Sequence, residues 1–420
     1  MKNKKIFTIT IKKSDYSSRL LFLWLSELFI MTGVRFCLSK MGFDSGLIRN
    51  SILFFTASIP LVSFFLHIRQ FRVEQYRWSA ALYIVIIFAF IFTVIIHPEY
   101  QYFITRSGYG IERVLRPECA LYACLFFCLV DNPNKIFDVL KKYAILDFVY
   151  LIIVEFLPAV IRGYWTDVDY MGRQVHRMYS LSLGYSLLLP TIVFLYIFIR
   201  KKNICFLTLS IVGMGIIFVY GSRGALLMIV IFVGLMIIST IIESKNISYK
   251  IIKITGVLML IVIICIFGKA ILNLFIQIFQ TLGVESRSLE MLVQGEFMDD
   301  SGRNVIWGTV INAIREGGIL GYGVFGDRPF VYPLHYVGYS HNIFLELIIS
   351  FGIIGVGISI AIISTSVRMI LLCKDRMWRE LFIIFFSIAC QLILSMSFWY
   401  VMEFWAAAAI AHQYFRLSKK

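Results

Sequence analysis

Charge is scarce in this chain. Asp, Glu, Lys and Arg make up 15% of 420 residues while hydrophobic side chains make up 59%, more apolar surface than one water-soluble core can hide. That balance excludes a soluble enzyme and makes the bilayer the solvent. Acids are fewer still, 25 against 40 bases, for a net charge of +15. The bases are spread between apolar runs rather than gathered on a polar domain, which fits membrane orientation and argues against a nucleic-acid partner. Walker and Rossmann glycine loops, HExxH and GxSxG are absent, and with them most support for a hydrolase or a nucleotide-driven pump. The eight cysteines form no CxxC pair and read as small buried hydrophobes. Cys124 and Cys128 share a helix face, but no further metal ligand stands near them, and no cofactor is expected.

What is present is a series of apolar runs, each near the roughly 20 residues that cross a bilayer. They fall at 20–38, 50–67, 78–96, 114–130, 143–161, 178–199, 204–220, 224–242, 254–272, 342–367, 381–398 and 399–415. The fold class expected is therefore an all-α, polytopic membrane protein of about 12 transmembrane helices, forming one integral membrane domain over 1–420. The last two runs could be one broken hairpin. The first run carries Glu27 and Arg35 and lacks a small-residue cleavage site, so it reads as a retained span.

With both termini cytoplasmic, inner segments hold 25 of the 40 basic residues, sixteen of them Lys, whereas thirteen of the 15 outer ones are Arg. A guanidinium matches phosphate or carboxylate with a planar fork, so outer arginines point to an anionic ligand on that side, beside their ordinary role as interfacial anchors. Two outer segments, 162–177 and 273–341, are too long for turns. The second contains an amphipathic helix, Asn304 to Glu316, with apolar residues at Trp307, Val310, Ile311 and Ile314. Asp299, Asp300 and Ser301 stand where a helix start wants caps. Glycines at 317, 318, 321, 323 and 326 then allow close approach to a ligand or another backbone.

Three places put polar groups at outer helix ends. Ser222 and Arg223 lie in the turn Gly221-Ser222-Arg223-Gly224. Ser301-Gly302-Arg303 precedes Trp307, which anchors its helix while Arg303 faces the head-group layer on the same side. Ser340-His341-Asn342 precedes a span, where the helix dipole disfavours an imidazolium and leaves His341 neutral. Each place also has a plain reading, as interfacial anchor or helix cap. Glu27, Glu155, Glu346 and Glu403 lie inside spans, and Glu346, just over a turn beyond His341, is the one expected to line the cavity. Asp167 and Asp169 form an acidic pair that could hold a divalent ion.

The order SRG, SGR-x3-W, GYGVFG and SHN-x2-LE-x5-GIIG, running from Gly221 to Gly357, resembles the O-antigen ligase and polymerase superfamily, Wzy-like and WaaL-like. Arg173, His176 and Arg177 match more loosely. The resemblance implies a GT-C-like scaffold of lipid-dependent glycosyltransferases and a glycan donor on undecaprenyl pyrophosphate. It implies that Arg223 and Arg303 hold the pyrophosphate and that His341 acts on the acceptor hydroxyl, with Arg173, Arg177, Ser222, Asn342, Trp307 and Glu346 lining the substrate. Two arginines would make a metal unnecessary, and a histidine-assisted hydroxyl attacking from the opposite face would make the transfer inverting. A polysaccharide polymerase at the outer face of the bacterial plasma membrane is the leading expectation. A ligase using another lipid or protein acceptor is the nearest rival, and a flippase for the lipid-linked unit is the rival of another class. Partners implied are membrane lipids, a flippase and a chain-length regulator.

Overall fold

A computed structural model describes residues 13–42, 46–244, 246–248, 250 and 302–418, with positions 255, 256, 273, 277 and 281 between them. The expected span 254–272, the first part of the 273–341 loop, and the capping assignment of Asp299, Asp300 and Ser301 lie outside the described residues.

The described chain is helical, with six helices long and apolar enough to cross a membrane. They are Gly46–Leu66, Val73–Ile96, Pro133–Arg162, Leu181–Lys201, Arg223–Glu243 and Ile343–Leu372. A seventh follows if Tyr16–Leu25 and Glu27–Lys40, bent by 55°, form one span. The protein is thus an all-α polytopic membrane protein. Along Val73–Ile96 the large side chains of Ile84, Phe88, Ile91 and Ile95 are all exposed. In water such a stripe would be an adhesive patch, whereas in hydrocarbon it costs nothing.

The expected span 204–220 is the shorter apolar helix Ile204–Tyr220, and three others take other forms. Run 114–130 is broken into the short helices Glu112–Leu115, Ala120–Tyr122 and Ala123–Cys128. Run 381–398 is the helix Arg376–Ala389, a tight turn at Cys390–Ile393 and irregular chain, and the last run is Met402–Leu417. Of these segments, Ala123–Cys128, Arg376–Ala389 and Met402–Leu417 are largely buried inside the bundle. Arg376–Ala389 buries Trp378, Leu381, Ile383, Ile384, Phe385 and Ile388, and packs on Met402–Leu417, Arg223–Glu243 and Leu188–Lys201. Helix 402–417 in turn packs on Ala123–Cys128 through its alanines. Hydropathy cannot separate a core helix from a spanning one, because both are apolar all round. Cys124 and Cys128 lie in this seam, their thiols against the carbonyls of Trp405 and Ala409.

The helices alternate between two ends. At one end Arg200, Glu243, Arg376, Arg379 and Glu380 form a shared ion network, with Arg379 donating to Glu243 at 2.6 Å and Tyr196 donating to Glu380 at 2.7 Å. At the other end the connections 97–122, 163–180, 302–342 and 390–401 meet and build the candidate site.

Candidate functional site

Segment 162–177 folds into a β-hairpin, Trp165–Val168 antiparallel to Gln174–Arg177, with Thr166 opposite His176. Its acids and arginines answer each other. Arg173 donates to Asp169 at 2.8 Å, and Arg177 lies 3.4 Å from Asp167 and against Tyr179. Asp169 also accepts from the backbone N–H groups of Met171 and Arg173, and the Arg173 N–H holds its carboxyl below the ordinary range. The acidic pair is thereby engaged by cations of its own hairpin, and Arg173 and Arg177 are committed to shaping that hairpin. No group of three or more metal-ligating side chains occurs among the described residues.

The hairpin links the two halves of the site. Trp165 packs on Tyr220 at 5.1 Å, and the Ser180 N–H donates to the Tyr220 carbonyl, fixing the Gly221–Gly224 turn. On its other side the Tyr170 carbonyl accepts from the Tyr336 N–H at 2.7 Å. Within the turn Ser222 is buried and caps the next helix through the Ala225 N–H at 3.1 Å, leaving half-buried Arg223 as the first helical residue.

The amphipathic helix is Arg303–Glu316, and its inward face is Ile306, Val310 and Ala313 with Trp307 and Ile314 beside them. Ile311 is exposed, so the buried stripe is rotated from the one the spacing suggests. This helix packs on Ile343–Val367 rather than lying apart on the bilayer surface. Trp307 is not simply an anchor, since its indole N–H donates to the Ser340 carbonyl at 3.1 Å.

That bond is one of several holding His341. The Ser340 N–H donates to Asp327 at 2.7 Å, and Asn342 caps the following helix by accepting from the Phe344 and Leu345 N–H groups while donating to the Ile393 carbonyl. Between them His341 adopts φ +53°, a left-handed backbone that a non-glycine residue holds only when its surroundings dictate it. Its ring lies against Tyr339 at 4.5 Å and His335 at 5.5 Å. Its surroundings disfavour the charged imidazolium. Burial comes first, followed by His335, Arg303 and Arg328, and together they push its pKa down to about 3. Burial lowers His335 as well.

Beneath His341 lies a charge network whose central members sequence reasoning passed over. Arg328 is 2% exposed and stands 3.5 Å from both Asp327 and Glu346. It also reaches Ser397 at 3.3 Å, which in turn donates to Glu346, while the Phe325 and Tyr339 rings lie at 4.9 and 5.2 Å. Glu346 is therefore a fully buried ion-pair partner, not a cavity-lining group. The signal was visible: Asp327-Arg328 is an acid–base pair directly after the glycine run. Arg106, which stacks on three tyrosines, was also missed.

The structure thus brings His341, Arg303, Trp307, Asn342 and Glu346 together, and sets Arg223 and Ser222 across the hairpin from them. A neutral imidazole beside fixed guanidinium groups can take a proton from a hydroxyl while the cations stabilise a departing anion. Comparisons with curated proteins and with solved structures give no match. Residues 207–360, which include Arg223, Arg303 and His341, match the family model described as O-Antigen ligase, which supports the resemblance to the O-antigen ligase and polymerase superfamily.

Proposed function

We propose that this protein is a polysaccharide polymerase that joins undecaprenyl-pyrophosphate-linked repeat units at the outer face of the bacterial plasma membrane. The observation that carries the reading is a neutral His341, locked at positive φ, with Arg303 and Arg328 close enough to depress its protonation. In the reaction the acceptor hydroxyl attacks the anomeric carbon from the face opposite the pyrophosphate. The new C–O bond forms, the bond to pyrophosphate breaks, and the hydroxyl proton passes to His341, giving inversion. Arg303 and Arg223 hold the pyrophosphate and stabilise its growing charge. A histidine of such low proton affinity is a poor base alone; the incoming pyrophosphate offsets Arg303 and raises the proton affinity of His341 when substrate is present, while the effect of burial remains. With guanidinium groups supplying the positive charge, the transfer is metal-independent.

The family description favours a second reading, a ligase that moves the glycan to another lipid or protein. Protein reconstituted with lipid-linked repeat units distinguishes these. Longer glycans on the same lipid support the polymerase, glycan on a new acceptor the ligase, and relocation without a new bond a flippase. Loss of product with EDTA, restored by magnesium or manganese, would refute the metal-free account.

A further inference from the structure

We propose that Arg106, with Tyr109, Tyr332 and Tyr336, forms a separate subsite for an oxyanion carried by the sugar portion of the substrate, a carboxylate or a phosphate substituent. This rests on the glycosyl-transfer reading and names the substrate class it takes.

Arg106 is 9% exposed, and the rings of Tyr336, Tyr109 and Tyr332 lie 4.3, 4.6 and 4.9 Å from its guanidinium carbon. Within the described residues its side chain makes no hydrogen bond or ion pair, and one terminal nitrogen is enclosed without an acceptor. Compare Arg328, more deeply buried still, which meets two carboxylates and a serine. A guanidinium taken out of water without a counter-charge is unfavourable, and aromatic faces offset only part of that. The N–H groups of a guanidinium point outward in the plane of its fork, the geometry that matches a carboxylate or phosphate.

The surroundings fit a sugar. Tyr102, half exposed, shares a hydroxyl hydrogen bond with Tyr332 at 3.2 Å, and Tyr109 meets Tyr336 edge-on at 5.9 Å. Such rings join an apolar face to a polar tip, as a sugar joins C–H faces to hydroxyls. The cluster also adjoins the reaction centre. Tyr336 follows His335, whose ring touches His341, and Tyr400 donates to the Tyr109 carbonyl while lying 6.0 Å from Arg328.

The test is saturation-transfer NMR on the full chain in nanodiscs, with glucuronate, glucose 6-phosphate, glucose and inorganic pyrophosphate as probes. Glucuronate or glucose 6-phosphate should receive at least fivefold more saturation than glucose, and Arg106→Gln should abolish the difference. If that variant does not fold, Arg106→Lys decides: it keeps charge and stem but loses the fork, and should weaken the signal at least threefold. Equal signals for glucose and glucuronate, or an undiminished signal in the folded variants, would overturn the proposal. Arg106-dependent binding of pyrophosphate alone would assign the site to the lipid head group and overturn it too. Protein that binds glucuronate through Arg106 yet builds no glycan keeps this site and removes the transfer reading; the converse result removes only the site.

Discussion

Removing a histidine from water and placing it beside two arginines stores its effect in the pH dependence of folding. Free histidine titrates near 6.5 and His341 near 3, so between those values the unfolded chain binds a proton that the folded one does not. The stabilisation from His341 is therefore complete above about pH 6.5 and fades as pH falls toward 3. A His341→Gln variant should lose less stability on acidification than the parent over that window, as read by thermal unfolding in nanodiscs, and should make no glycan. Arg303→Gln should raise the His341 pKa, by less than the whole depression because burial is the larger cause; histidine-labelled NMR reads this directly. Arg328 makes a sharper case. Arg328→Met leaves Asp327 and Glu346 buried without their cation, a loss of about 3–5 kcal/mol for a broken buried pair. A variant as stable as the parent in denaturant would show that the network does not support the His341 turn.

Above single residues, the feature that places the site is a broken helix clasped by a glycine-rich loop. Gly352 has φ +54° inside Ile343–Val367, and the backbone there exchanges hydrogen bonds with the loop: Tyr322 N–H to Ile349, Gly323 N–H to Ser350, and Ile353 N–H to Ile319. A Cβ on Gly352 would meet the Ile319 carbonyl oxygen at 1.9 Å, and one on Gly321 would meet Gly352 N at 2.6 Å. Both positions have positive φ. Val324 N–H then donates to Thr93 at 2.8 Å, fastening the loop to a second helix. Gly352→Ala should therefore destabilise by more than the roughly 1 kcal/mol of an ordinary helix glycine, and should reduce glycan synthesis, because Asp327 and His341 hang from this clasp. An unchanged melting temperature would refute it. The glycines and their need for close approach were legible in the sequence, as were the amphipathic helix and the SHN turn. The partner of the glycine loop was not, because backbone pairing between residues thirty apart leaves no pattern in side chains. Nor was the hairpin: its short strands are held by Trp165 on Tyr220 and Tyr170 on Tyr336, contacts that period-two spacing over four residues cannot announce. Asp327 and Arg328 were readable as a charged pair but not as buried.

For the whole molecule, the two ends of the bundle differ in chemistry. The end bearing the Arg200–Glu243–Arg379–Glu380 network carries the lysine-rich connections, whereas the site-bearing end carries arginines stacked on tyrosines, Arg106 and Arg113 among them. Lysines retained in the cytoplasm and arginines facing an anionic substrate outside would produce that division. It makes one demand on every segment at once: the hairpin and residue 374 must lie on opposite sides of the membrane. In a cysteine-free background, Met171→Cys on the hairpin, half exposed, should react with a membrane-impermeant maleimide in intact cells. Lys374→Cys, exposed in the connection before Arg376–Ala389, should react only after the membrane is opened. The reverse pattern would place His341 in the cytoplasm, where the charge division would have no orienting explanation and extracytoplasmic polymerisation could not proceed.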